Sequence, residues 1–211
     1  MPTLSMRPGR RMRRIDVESF ARAILCIIGG TITLGGTAVA AVQPVFRLMS
    51  PDLPSGKFIR EEFVANEFGC HGGNQSPALK WSGAPAGTKS FAVTMYDPYK
   101  PPQSGWWHWI VYDLPASTNG LPRQAGAAGL PSGARHGTPD GDAPQPHYYG
   151  PCPDQGDPPH HYVITVYALS VDHLDVPPTA TAADVDYIIA GRMIGKANIT
   201  RLYQRSSAGG K

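Results

Sequence analysis

Beyond residue 41 this sequence has no run of lysine or arginine and almost no net charge. Residues 1–41 carry six arginines (Arg7, Arg10, Arg11, Arg13, Arg14 and Arg22) against Asp16 and Glu18, a net +4. The other 170 residues hold 13 basic and 14 acidic groups, a net −1. The body therefore lacks the basic field that a nucleic-acid backbone requires, and nucleic acid is excluded as a partner. Cysteine is scarce, with three in 211 residues. No G-x-S-x-G nucleophile turn occurs, and Ser76 in "GGNQSP" has no neighbouring base. Metal ligands at compact spacing are lacking too. The adjacent pair His160-His161 on a strand points to opposite faces, so only one of the two can join a site with His108 and Asp97. No internal repeat and no partner-binding motif is visible.

What is present starts with the leader. Its arginines precede an uncharged stretch, "AILCIIGGTITLGGTAVAAV" (23–42), that finishes on small residues at Ala38-Val39-Ala40. That order describes a cleaved export signal over 1–41, giving a periplasmic or secreted protein. The stretch is also long enough for an uncleaved inner-membrane anchor. Leu25 before Cys26 argues against lipidation, which wants a small residue there. Export leaves Cys70 and Cys152 as an even pair in an oxidising compartment, with a disulfide and two buried free thiols as the alternatives.

Residues 42–56 are rich in Pro and Ser and read as a flexible linker before one domain at 57–205, with a disordered tail at 206–211. "SFAVTMYDP" (90–98) alternates Phe91, Val93 and Met95 against Ala92, Thr94 and Tyr96, a strand pattern. "WHWIVYDLP" (107–115) and "HYVITVYALSV" (161–171) are β-branched and aromatic, and read as strands too. The loop between them, 133–159, contains twelve Gly or Pro residues, and such a length without secondary structure signals function or disorder. One helix is convincing: Thr181 caps it, Asp184 follows three residues on, and Val185, Ile188, Ile189 and Ile194 share a face. Gly195 is its expected end. The class is mainly β with few helices.

Asp97, His108, His160 and His161 stand where strands meet Gly/Pro-rich connections, the places where a sheet presents side chains to a cleft. Alternation puts Trp107 and Trp109 on one face of their strand and His108 with Trp106 on the other. Three chemistries suit these residues. A metal site is short of ligands. Cys152 activated by His160 is a nucleophile only if the disulfide is absent. An anion pocket needs donors and rigid backbone N–H groups around glycine, which His108, His160 and the Gly150-Pro151 turn supply.

At this point "FGCHGGNQSPALKWSGAPAGTKSFAVTMYDP", "GWWHWIVYDLP", "GPCP" and "GDPPHHYVITVYAL", in this order, resemble the phosphatidylethanolamine-binding protein family, in its bacterial Raf kinase inhibitor-like branch. The resemblance covers about residues 57–205. It implies a large antiparallel sheet with a smaller sheet and peripheral helices. It also implies a small pocket for phosphate-type anions or phospholipid head groups of the phosphorylethanolamine kind. Carried onto this chain, the pocket comprises Asp97, Pro98, Pro101 or Pro102, His108, Gly150, Pro151, His160 and Tyr162, with Trp107 or Trp109 as a wall. Two positions depart from the family pattern: Tyr99 stands where a second acid is usual, and His161 replaces an arginine. The expected role is non-enzymatic binding of a small phosphate-bearing ligand, with no cofactor, no metal and no catalytic residue. Regulation of a kinase or protease through the surface is the alternative, its protein target unidentified, and a hydrolase is the third. A homodimer fits the family habit, although no self-complementary apolar stripe marks the sequence.

Overall fold

The computed structural model describes residues 44–99, 105–140 and 148–206. The leader, Pro101 and nearly all of the tail lie outside the described residues. In chain order the strands are β1 (Arg47–Met49), β2 (Leu79–Ser82), β3 (Ser90–Asp97), β4 (Trp106–Pro115), β5 (Gly120–Leu121), β6 (Arg135–His136), β7 (His160–Leu169) and β8 (Met193–Tyr203). A 3-10 turn at Glu61–Phe63 and the helices α1 (Ala125–Ala128) and α2 (Ala182–Ala190) complete the set. β6, β4, β3, β7 and β8, in that order, form an antiparallel five-stranded sheet, and β1, β2 and β5 form a three-stranded one.

The alternation along β3 is the organising signal of the large sheet, because successive side chains of a strand leave on opposite faces. Phe91, Val93 and Met95 join Trp109, Val111, Ile164 and Val166 on the inner face. There they meet Leu48, Leu79 and Trp81 of the small sheet. Ala92, Ile110, Tyr112 and Leu169 leave on the outer face, which Val185 and Ile189 of α2 cover. The large sheet is thus buried on both sides, and truncating a fully buried residue such as Trp109 would cost about 3–5 kcal/mol.

β4 departs from simple alternation twice. Phe91 pairs with Leu114 but Val93 with Val111, and Met95 pairs with Trp109 but Tyr96 with Trp107. Each step inserts one extra residue into β4, a β-bulge. Asp113, in left-handed backbone at φ 59°, lies within the first, and His108 within the second. The second bulge corrects the expected placing of the tryptophans. Trp107 turns to the outer face against Tyr96, with ring centroids 4.4 Å apart. Trp109 enters the inner core edge-on to Tyr148.

Three further expectations are corrected. The stretch read as a flexible linker at 42–56 contains β1, paired with β2, and buries Leu48 and Leu53; two apolar anchors outweigh its Pro/Ser composition. α2 begins as expected, with Thr181 and Asp184 bonding reciprocally as a capping box. It stops at Ala190, however, and Ile194 and Gly195 belong to β8. The long ladder to β7 claims that segment, and Gly195 is the point where β8 passes Pro85: a Cβ there would lie 2.6 Å from the proline ring. Finally, the loop 133–159 contributes β6, which pairs with Val111 and Tyr112 on the edge of β4.

Candidate functional site

The antiparallel order brings the end of β3 and the starts of β4 and β7 to one edge of the large sheet, on its inner face. Asp97 closes β3, Trp106 and His108 open β4, and His160 and Tyr162 open β7. With Tyr99 and residues of two loops they line a cavity of about 270 Å³. Asp97, His108, His160 and Tyr162 are all buried, so each needs a polar partner.

The partners fix the chemistry of the rings. His108 Nδ1 donates to the Tyr149 carbonyl at 2.9 Å, and the Tyr149 N–H donates back to the His108 carbonyl at 2.8 Å. The bulge that aims His108 into the cavity is thus satisfied by the 148–152 segment alongside it. Because a carbonyl only accepts, Nδ1 holds the proton, and protonation of the ring adds the second on Nε2. His160 is held in the same way: Nδ1 lies 2.6 Å from Asp97 Oδ2, and Asp97 Oδ1 accepts the Tyr99 N–H at 2.9 Å. Asp97 thus orients a histidine of the pair, His160. On the other ring edge, His160 Nε2 lies 3.3 Å from Asp157 Oδ2. Tyr162 stands between the imidazoles, edge-on to His108 at 5.2 Å and stacked at 6.3 Å from His160. Desolvation, with Asp97 nearby, pushes its phenol far above the ordinary range, so it stays neutral. Tyr99, where an acid was expected, sets its ring edge-on against His160 at 4.4 Å.

Some expected residues play other parts. Trp107 lies on the opposite face, and the indole on the cavity is Trp106. Gly150 and Pro151 offer the cavity no donor: proline has no N–H, and the Gly150 N–H donates to Asn74 Oδ1 at 2.8 Å. Glycine is required there by close approach, since a Cβ would lie 2.3 Å from the Phe63 carbonyl oxygen. The turn therefore packs the 148–152 segment onto residues 63–74, where the Ala65 N–H also donates to the Pro151 carbonyl. Pro98 does not line the cavity, although its neighbours on either side do. Cys70 and Cys152 are joined, with their Cα atoms 6.0 Å apart, which fastens the same segment covalently. Among the described residues no group of His, Cys, Asp and Glu is placed to hold a metal ion.

Sequence reasoning missed Phe68, Tyr149, Asp154 and Asp157 on the cavity wall. Asp157 was within reach, as it precedes His160 by three residues in "GDPPHHY". Phe68 was not, because only the fold and the disulfide bring it across.

The sequence model of the family described as phosphatidylethanolamine-binding protein matches residues 50–204 of this chain. The chain belongs to the phosphatidylethanolamine-binding protein family. Among similar family proteins, Escherichia coli YbcL is 42% identical over 168 residues, 78% of this chain and 91% of that one. Its crystal structure superposes with a TM-score of 0.71, covering 76% of this chain and 98% of the crystallised one. A phosphatidylethanolamine-binding protein homologue from Chlamydia trachomatis, 27% identical, superposes with a TM-score of 0.63 over 78% of this chain and 99% of its own. A Mycobacterium tuberculosis lipoprotein candidate, LppC, is 32% identical over 207 residues, 92% of this chain and 98% of its own. Family membership supports a ligand-binding role.

Proposed function

We propose that the cavity binds small phosphate-bearing molecules, of the phosphorylethanolamine type, without transforming them. The observation that carries this reading is the matched pair of buried imidazoles. His108 and His160 reach one cavity from β4 and β7, each held through Nδ1 by an acceptor that is not the ligand. Protonated, each directs its second N–H from Nε2, and charge-assisted donors of that kind suit an oxyanion. Aromatic walls from Tyr99, Trp106 and Tyr162 shield the bonds from water and strengthen them. Cysteine hydrolysis loses its nucleophile, because the Cys152 sulfur is bonded to Cys70. Calorimetric titration with phosphorylethanolamine tests the assignment. His108→Ala should weaken binding by about tenfold or more, the worth of one charge-assisted hydrogen bond, and unchanged affinity would overturn it.

The chain is also proposed to be exported. The arginine-rich leader and the likeness to LppC support this. Fractionation of producing cells should find the leaderless protein outside the cytoplasm, and a full-length cytoplasmic chain would contradict export.

A further inference from the structure

His160 is bracketed by two carboxylates, and they are not equivalent. Asp97 meets Nδ1 with one oxygen and the Tyr99 N–H with the other, and its side chain is 5% exposed. Asp157 meets Nε2 with one oxygen at 3.3 Å, and its side chain is 36% exposed. The Asp157 backbone is anchored, by its N–H to the Asp154 carbonyl and by Gln204 donating to its own carbonyl at 2.9 Å. Its carboxylate can thus leave for solvent while the loop stays. An oxyanion that takes a hydrogen bond from His160 must take it at Nε2, because Nδ1 is committed to Asp97. Asp157 already occupies that edge.

We infer that Asp157 is an internal competitor for the oxyanion position on His160 and so determines which charge pattern the pocket admits. This rests on the reading of the cavity as a phosphate-binding site. Once displaced, the Asp157 carboxylate still borders the cavity together with Asp154, and among the described residues no lysine or arginine lines it. Bare phosphate would leave that carboxylate facing a like charge. A ligand carrying an ammonium group beside its phosphate supplies the displaced carboxylate with a partner. The pocket then selects zwitterions partly by penalising the simple anion, a repulsive element of specificity.

Titration of the purified full chain, Asp157→Asn, Asp157→Ala and Asp154→Asn with inorganic phosphate and with phosphorylethanolamine tests this. Both Asp157 variants should bind inorganic phosphate about tenfold more tightly than the parent, the scale of one recovered charge-assisted hydrogen bond. The preference for phosphorylethanolamine should shrink correspondingly. Asp154→Asn, which removes the same charge without vacating Nε2, should gain clearly less. Equal gains from Asp154→Asn and Asp157→Asn would assign the effect to overall charge and overturn the inference. Unaltered phosphate affinity in both Asp157 variants, with a parent that binds phosphorylethanolamine, would sink the inference and leave the cavity reading standing. Failure of every protein to bind either ligand would remove both.

Discussion

The two bulges of β4 lie only a few residues apart, yet the side chains that partner their aspartates differ. Each bulge is associated with a buried polar residue on β4 and a buried aspartate beside it. At the Asp113 end these are the same residue. Its Oδ2 accepts from Arg135 Nε and Nη2 at 3.0 and 2.7 Å, and its Oδ1 accepts the Leu174 N–H at 2.8 Å. At the His108 end the aspartate is Asp97, which is 3% exposed, as is Asp113. It too bonds one backbone N–H and one nitrogen-bearing side chain, but that side chain is a histidine at the edge of a cavity. A permanent charge on β6 makes one end a closed stitch between elements. A histidine on β7 makes the other a device for holding a ring in position. Burial and hydrogen bonding are matched, so the partner's chemistry separates structure from site.

That contrast is easiest to break at the cavity end, which has a covalent tie that the Asp113 end lacks. The Cys70–Cys152 bond spans 82 residues, and replacing both cysteines by serine should cost about 2–5 kcal/mol in urea unfolding. Ligand affinity should fall as well, since Cys152 and Tyr149 belong to the segment that holds His108. Full stability with weakened binding would mean that the disulfide serves the pocket alone; unchanged values of both would break the comparison.

Next in size are the two aspartates themselves. Asp113→Ala leaves the buried Leu174 N–H without its acceptor and Arg135 without its counter-charge, a loss of about 2–3 kcal/mol. Binding by the folded fraction should be untouched. Asp97→Asn keeps an acceptor for the Tyr99 N–H and should cost only about 1 kcal/mol of stability, while affinity for phosphorylethanolamine falls about tenfold as His160 loses its fixed tautomer. Equal stability losses with equal affinity losses would mean that the two ends are not functionally distinct.

These assignments also show what was legible in the sequence. The alternation in 90–97 and the β-branched runs of β4 and β7 gave the central strands, because a two-residue period has one structural meaning. His108, His160, Tyr162 and Asp97 stood at the ends of those strands and were legible for that reason. The bulges were not: an extra residue leaves no mark in "WHWIVYDLP", and without it Trp107 falls on the wrong face. β1 and the start of β8 were hidden because both are claimed by pairing partners distant in sequence, Leu79–Ser82 and His160–Leu169. The Gly150-Pro151 turn was read as an anion donor since glycine there looks available; its N–H is committed to Asn74, which only the fold reveals.

Asp52 sharpens the contrast at the smallest scale, because it is a carboxylate of the Asp113 kind that does not line the cavity. It accepts the Ala78 N–H at 2.8 Å and pairs with Arg123 through both oxygens. The Arg123 hydrogen bond, the largest influence, holds its carboxyl below the ordinary 3.8, against the opposing effect of burial. A carboxyl depressed by folding contributes stability that is present above its unfolded value and lost as the pH falls through the lowered one. Asp52→Asn should therefore cost about 1 kcal/mol at neutral pH, with the gap from the parent constant down to 3.8 and closing only below it. Urea unfolding of both proteins across that range checks the sign. A gap that closes above 3.8, or one that never closes, would show that Arg123 does not stabilise the ionised carboxylate. The rule drawn from Asp113, that a permanent cation marks a structural aspartate, would then rest on that residue alone.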